Sequence, residues 1–422
     1  MGGRTCLKLG LKKPKWNDPP EGGLLCVSMM ETERNADVKV IFALTLLNFI
    51  GGFYISFVVP LLPMFVEKFS LTLTQVGLIV GISRLLAFVV QPSVGYLADH
   101  YQTRFFVLGG PLLTIVFIPL VGIASSFLLL ILFVSLGSIG SSMLFPSSAG
   151  MIFPHAGRHF GFSMSVFNMG VAMGFGLGPL FITYFVGSYG LSASPFVMIF
   201  GLALMAFVYR IIPFPRGGGL ENLGFVGSIR EVLGTVWRPI MLIWVVMVLR
   251  SFVGQSFFTF IPVLYAKEGY SLVSVGRMLS LFTVAGAISG LLAGRLSDQI
   301  GYKPIFYIAS VLTTPSLLLL LYLPGNWIYL SGFLTGFFVM ATLPLGVVMA
   351  QKLASKGRSM ISSLMMGLAF GTGGMMTPLV GGLADVFSIR TVMFFLAMIP
   401  FLTVGLIFFI PEEKLKSDRF VM

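Results

Sequence analysis

Long apolar runs separated by short polar breaks make up almost the whole of this chain. Twelve such runs can be drawn, at approximately 39–63, 74–97, 105–124, 127–150, 160–187, 193–213, 239–265, 272–296, 304–323, 327–350, 360–385 and 391–410. A helix needs about 20 apolar residues to cross roughly 30 Å of hydrocarbon while satisfying its own backbone hydrogen bonds. The pattern therefore predicts an all-α membrane protein with twelve transmembrane helices.

The polar breaks repeat. Gln91 to Arg104 reads QPSVGYLADHYQTR, and 199 residues on Gly294 to Lys303 reads GRLSDQIGYK, so Gly95, Leu97 and Asp99 answer to Gly294, Leu296 and Asp298. The same offset pairs Phe53 with Phe252, Pro63 with Pro262 and Gly77 with Gly276, and an offset of 200 pairs Arg158 with Arg358 and Gly174 with Gly374. A third copy, GGLADVFSIR from Gly381 to Arg390, falls by helix count on the opposite side of the membrane, as nested inverted repeats require. The chain thus divides into two pseudo-symmetric six-helix bundles, 39–213 and 239–411, with a linker at 214–238 and tails at 1–38 and 412–422.

Composition agrees. The 422 residues are 56% hydrophobic and 10% charged, with a mean hydropathy of +0.97, more apolar surface than a soluble domain can bury. The net charge of +12 would suit nucleic acid, but its distribution points elsewhere. The N-terminal segment and alternate loops hold 21 of the 27 lysines and arginines, whereas the opposite loops hold only Lys68, Lys267 and Arg390. That asymmetry places both termini in the cytoplasm and the protein in the cell (inner) membrane, with the lipid bilayer and no nucleic acid as partner. A monomer is expected. Cys6 and Cys26 both precede the first helix and offer no disulfide framework. Residues 1–38 lack the apolar core of a secretory signal and read as a disordered cytoplasmic tail. The opening MGGRTC misses the myristoylation pattern at Cys6, and Met29 or Met30, just ahead of the first helix, is an alternative translation start.

None of the fifteen acidic residues lies in the middle of a run. Arg84 and Arg250 do. Each sits about ten residues into its helix, which at 1.5 Å per residue is roughly 15 Å deep. Two guanidiniums near the midplane with no carboxylate nearby in sequence favour an anionic substrate, because bidentate pairing offsets their desolvation. The competing reading is that they bond helix carbonyls or reach along a helix to water. The first run, with Asn48, Tyr54 and two glycines, is too polar to face lipid all round and is expected to line a cavity. Arg84, Arg250, Asn48, Gln255, Asn168 and Tyr54 form the candidate substrate-binding set. Gly178 and Pro179, in GVAMGFGLGP, mark either a helix bend or close helix packing. No phosphate-binding loop, metal-ligand spacing or nucleophile–base constellation is visible, which argues against a cofactor, a metal, ATP drive and catalysis.

The two motif copies resemble the signature loop of the major facilitator superfamily, G-x-L-a-D-r-x-G-r-k. The second fits through Gly294, Leu296, Asp298, Gly301 and Lys303; the first keeps Gly95, Asp99 and Arg104 but has Gln102 in place of the second glycine. Over roughly residues 44–412 the chain resembles the fosmidomycin-resistance group of drug-efflux transporters, in QPSVGYLAD, GFSMSVFNMGVAMGFGLGP, LRSFVGQSFFTFIP, LPLGVVMAQ and MMGLAFGTGG. The resemblance implies secondary transport by alternating access, exporting small organic anions or drugs, commonly as an antiporter against protons. It also implies that Asp99 and Asp298, with Arg104 and Lys303, latch the cytoplasmic side; the plainer alternative makes them topology anchors. The chain departs from the group at Asn48 and Gly52, where a histidine and an aspartate are usual, and at Phe145, where a histidine precedes Pro146. The loss of these titratable groups favours two other readings: proton-independent uptake or exchange of an organic anion, or a non-transporting sensor or scaffold.

Overall fold

Backbone hydrogen bonding inside lipid has to be met within each segment, and the chain meets it with helices. The computed structural model describes residues 37–100, 105–152, 155–156, 160–212, 237–353 and 364–409. The expectations for the two tails, for the linker and for Arg104 lie outside the described residues. Among the described residues, eleven helices are long and apolar enough to cross a membrane. They are α1 (Val38–Phe69), α2 (Leu73–His100), α3 (Phe105–Ile123), α4 (Phe127–Ile152), α5 (Phe160–Tyr189), α6 (Leu191–Tyr209), α7 (Trp237–Lys267), α8 (Leu272–Ile300), α9 (Tyr302–Tyr322), α10 (Trp327–Ala350) and, after α11, α12 (Ile389–Phe408). The twelfth, α11, crosses in three pieces: a π-helical Leu364–Ala369, then Phe370–Met375 and Thr377–Val386. Its break falls between a glycine pair at 373–374 and Pro378, where helix propensity is lowest.

Two further helices break inside the membrane. A turn at Ser56–Phe57 divides α1, and a second segment runs Val58–Phe69. The sequence suggested an end at Pro63, but Pro60 falls in the first turn of that second segment, where its missing N–H would have no partner anyway. The helix therefore continues past both prolines and stops at Ser70 in a left-handed conformation (φ 50°). In α10, the helix Trp327–Met340 ends at Ala341 and a new one starts at Leu343.

Packing within each bundle rests on small residues. A Cβ at Gly170, Gly174 or Gly178 of α5 would collide with the backbone of α1, at Thr45, Phe49 and Phe53 respectively. Among helices already in lipid, close backbone approach supplies the van der Waals contact that hydrophobic exclusion cannot. The duplication is visible here: a Cβ at Gly174 would meet the Phe53 nitrogen at 2.6 Å, and one at Gly373 of α11 would meet the Phe252 nitrogen of α7 at 2.7 Å. α5 runs unbroken through Pro179, so the glycine run serves packing.

The two bundles meet along α2–α11 and α5–α8, with the second segment of α1 against α7. We call distal the end that carries the α1–α2, α3–α4, α5–α6, α7–α8, α9–α10 and α11–α12 turns. One apolar core joins both bundles and includes Leu61 and Phe65 of α1 with Phe257, Phe260 and Leu264 of α7. A separate core, around Ile243, Met247, Phe306 and Ala350, fills the opposite, proximal end of the C-terminal bundle alone. Large apolar side chains such as Leu128, Phe196, Ile199, Phe395 and Leu402 stay exposed on the outside, where lipid solvates them.

Candidate functional site

Halfway along the junction of the bundles, Arg84 of α2 reaches across to α7. Its aliphatic stem lies against Gly374, where a Cβ would collide with Cγ of the arginine. Its Nη2 donates to Oε1 of Gln255 at 3.1 Å. Two neighbouring glycines make the crossing possible: Gly371 packs on Phe88 of α2, and Gly373 packs on Ser251 of α7. Among the described residues Gln255 is the only hydrogen-bond partner of the guanidinium, and no carboxylate pairs with it. Most of its five N–H donors are thus uncommitted, beside an amide that has donors of its own. The arrangement suits an anion held between the two bundles.

Arg250 occupies the other kind of place open to it. It is 4% exposed, inside the C-terminal bundle. Nη1 donates to Ser310 Oγ at 2.9 Å, and Nη2 to the Phe338 carbonyl at 2.8 Å and the Val339 carbonyl at 3.4 Å. Those carbonyls belong to the last turn of Trp327–Met340, where α10 breaks. The end of a helix leaves carbonyls without N–H partners and carries partial negative charge, so the guanidinium acts as a cap within the membrane. Arg250 is therefore placed away from the junction at which a substrate was expected to meet it.

The polar residues of α1 are likewise turned inward. Asn48 Nδ2 donates to the Phe167 carbonyl at 3.1 Å, and the Tyr54 hydroxyl donates to the Val197 carbonyl at 2.7 Å; both side chains are buried among their neighbours. These bonds tie α1 to α5 and α6, while Asn48 Oδ1 is buried with no partner among the described residues. Asn168, one residue beyond the acceptor of Asn48, is exposed.

In the signature loops, Gly95 and Asp99 lie in the final turns of α2 and Asp298 in the last turn of α8. The side chains of Asp99 and Asp298 lie outside the described residues. Gly301 has φ 85°, which explains a glycine there. Among the described residues nothing approaches the Cβ position of Gly294, and Lys303 Nζ donates to the Phe408 carbonyl at 3.2 Å.

One residue of the third motif copy, not singled out from the sequence, has a larger part. Asp385, on the last turn of α11, accepts from the Leu73 nitrogen at 2.7 Å, the Thr74 nitrogen at 2.9 Å and the Thr74 hydroxyl at 2.6 Å. The third motif copy was the signal that could have singled it out.

Membrane helices in two pseudo-symmetric bundles, with a polar pair across their junction, define a membrane transport protein. The Major Facilitator Superfamily model matches residues 44–289 and 269–421, and the chain belongs to that superfamily. It is 25% identical over 396 residues to the fosmidomycin resistance protein of Escherichia coli K12, covering 92% of this chain and 96% of that one. It is 28% identical over 313 residues to multidrug resistance protein MdtG of Salmonella paratyphi C, covering 70% and 76% respectively. The crystal structure of a bacterial homologue of the human lysosomal transporter Spinster, inward-facing and unoccupied, shares the fold with a TM-score of 0.74 at 15% identity, covering 89% of this chain and 97% of that one.

Proposed function

We propose that this protein is a secondary active transporter that exports small organic anions or drugs by alternating access, with both termini cytoplasmic and the protein monomeric in the cell membrane. The observation that carries the reading is Arg84: a guanidinium at mid-depth on the junction of the bundles, engaged by one neutral acceptor. An anion entering between the bundles would take the place of Gln255 on some of those donors and bind both bundles at once, which is what coupling of binding to rocking requires. The resistance proteins among its relatives support export. Contacts between the bundles at the distal end support a carrier whose access lies at the proximal end, the cytoplasmic one on this reading.

The test is flux of a panel of anionic and neutral compounds in proteoliposomes. Arg84→Ala should weaken apparent affinity for anions about a hundredfold, the scale of removing one partner of a desolvated charge pair, and Arg84→Lys should recover part of it. Neutral compounds carried as well as anions, indifferent to Arg84→Ala, would remove the anion reading. No flux with any compound would favour the non-transporting sensor or scaffold.

A further inference from the structure

The first turn of α2 is capped by two different bundles. Thr72 and Gln75 form a reciprocal box: the Thr72 nitrogen donates to Gln75 Oε1 at 3.0 Å and the Gln75 nitrogen to Thr72 Oγ1 at 3.3 Å. That box leaves the nitrogens of Leu73 and Thr74, which have no acceptor within their own helix. Asp385 takes both, one with each carboxylate oxygen, and takes the Thr74 hydroxyl as well. Its charge also faces the positive end of the α2 dipole. The cap therefore comes from a residue more than 300 positions away, in the other bundle.

The surrounding contacts let the two helices come this close. Thr377 Oγ1 of α11 donates to the Gly77 carbonyl of α2 at 2.9 Å. A Cβ at Gly77 would lie 2.6 Å from the Thr377 carbonyl oxygen, and one at Gly381 would strike the Leu73 carbonyl. The Asp385–Thr74 contact itself is exposed. Water can replace the two bonds to Thr74, with the part-buried bond from the Leu73 nitrogen beside them, so the contact can open and close repeatedly. The other seam, α5–α8, closes at the same end by packing of Gly276 on Thr183 and Gly187 near Val273, with uncharged residues.

We infer that Asp385 is a positioning residue of the transport cycle: by capping α2 from α11 it holds the distal ends of the two bundles together, and its release accompanies distal opening. The third motif copy thereby acquires a role on the side opposite the two signature loops. The inference stands on the fold alone and is independent of which compound is carried.

Spin-label distance measurement on the full chain in nanodiscs tests it. With Cys6→Ser and Cys26→Ser as background, labels at Ser125→Cys and Asn326→Cys report separation of the distal ends, both sites being exposed in distal turns. The parent should give one dominant short distance. Asp385→Asn should add a longer population and raise the open-to-closed ratio about tenfold, the worth of one net charge-assisted bond. Thr74→Val, which keeps the backbone bonds, should move the ratio the same way by less. An unchanged ratio in both variants, with the parent's melting temperature, overturns the inference. Should Asp385→Asn fail to fold, an unchanged ratio in Thr74→Val overturns it alone.

Discussion

The two membrane arginines show how one residue type divides into two tasks by its acceptors. Arg84 has a single neutral side-chain acceptor on the other bundle. Arg250 has two hydroxyls and two main-chain carbonyls inside its own. Removing the Arg250 side chain would leave the carbonyls at the break of α10 without donors in a site where water is scarce, at a cost of about 1–3 kcal/mol per buried orphan. Arg250→Leu is therefore expected to lower the melting temperature in detergent by several degrees while leaving the ranking of transported compounds unchanged. A shifted compound ranking with unaltered melting would return Arg250 to the substrate site. The sequence carried both arginines and their depth, since depth follows from position in an apolar run. It could not say which one faced the junction. That depends on the rotation of each helix about its axis, and a helix such as α7, whose polar residues turn to several neighbours, holds little information on rotation.

At the scale of helices, α5 illustrates what a run of glycines does. Gly170, Gly174 and Gly178 share the face turned to α1, while Gly176 is turned to Val284 of α8. The first set fastens α5 within its bundle, and Gly176 smooths the face along which the other bundle lies. Gly178→Leu would drive a side chain into Ser56 and the Phe53 carbonyl and should reduce folded yield sharply, measurable by size-exclusion profile. Gly176→Ala meets only the end of a flexible valine at 2.8 Å and should fold normally. Helix positions were legible from hydropathy to within a few residues. The two possible readings of GVAMGFGLGP were separated by geometry alone, because a proline inside a helix need not interrupt it. The break in α10 falls just ahead of Pro344, which cannot donate to the Met340 carbonyl, and Arg250 bonds the carbonyls of the turn before it.

For the whole molecule, the duplication at offsets near 200 made the two-bundle architecture legible before any contact was known. The contacts between bundles were not legible, since repeats specify the halves and not which ends touch in a given state. The scarcity of titratable groups does carry to this scale. With no carboxylate in the middle of any run, desolvated acids that could pass protons are missing from the primary structure. The steady-state anion gradient in proteoliposomes should therefore change less than about twofold when an imposed pH gradient is collapsed, where a carrier exchanging one proton per anion would change it by up to about tenfold per unit of pH. A large response would point to a charged loop residue, or to the compound itself, as the proton carrier.

The continuous distal core has a thermal corollary. Leu61 and Phe65 of α1 lie in the same apolar mass as Phe257, Phe260 and Leu264 of α7, so each turnover has to let water onto surfaces that are dry at rest. Wetting apolar surface raises heat capacity. The temperature dependence of the rate should consequently curve rather than follow a straight Arrhenius line.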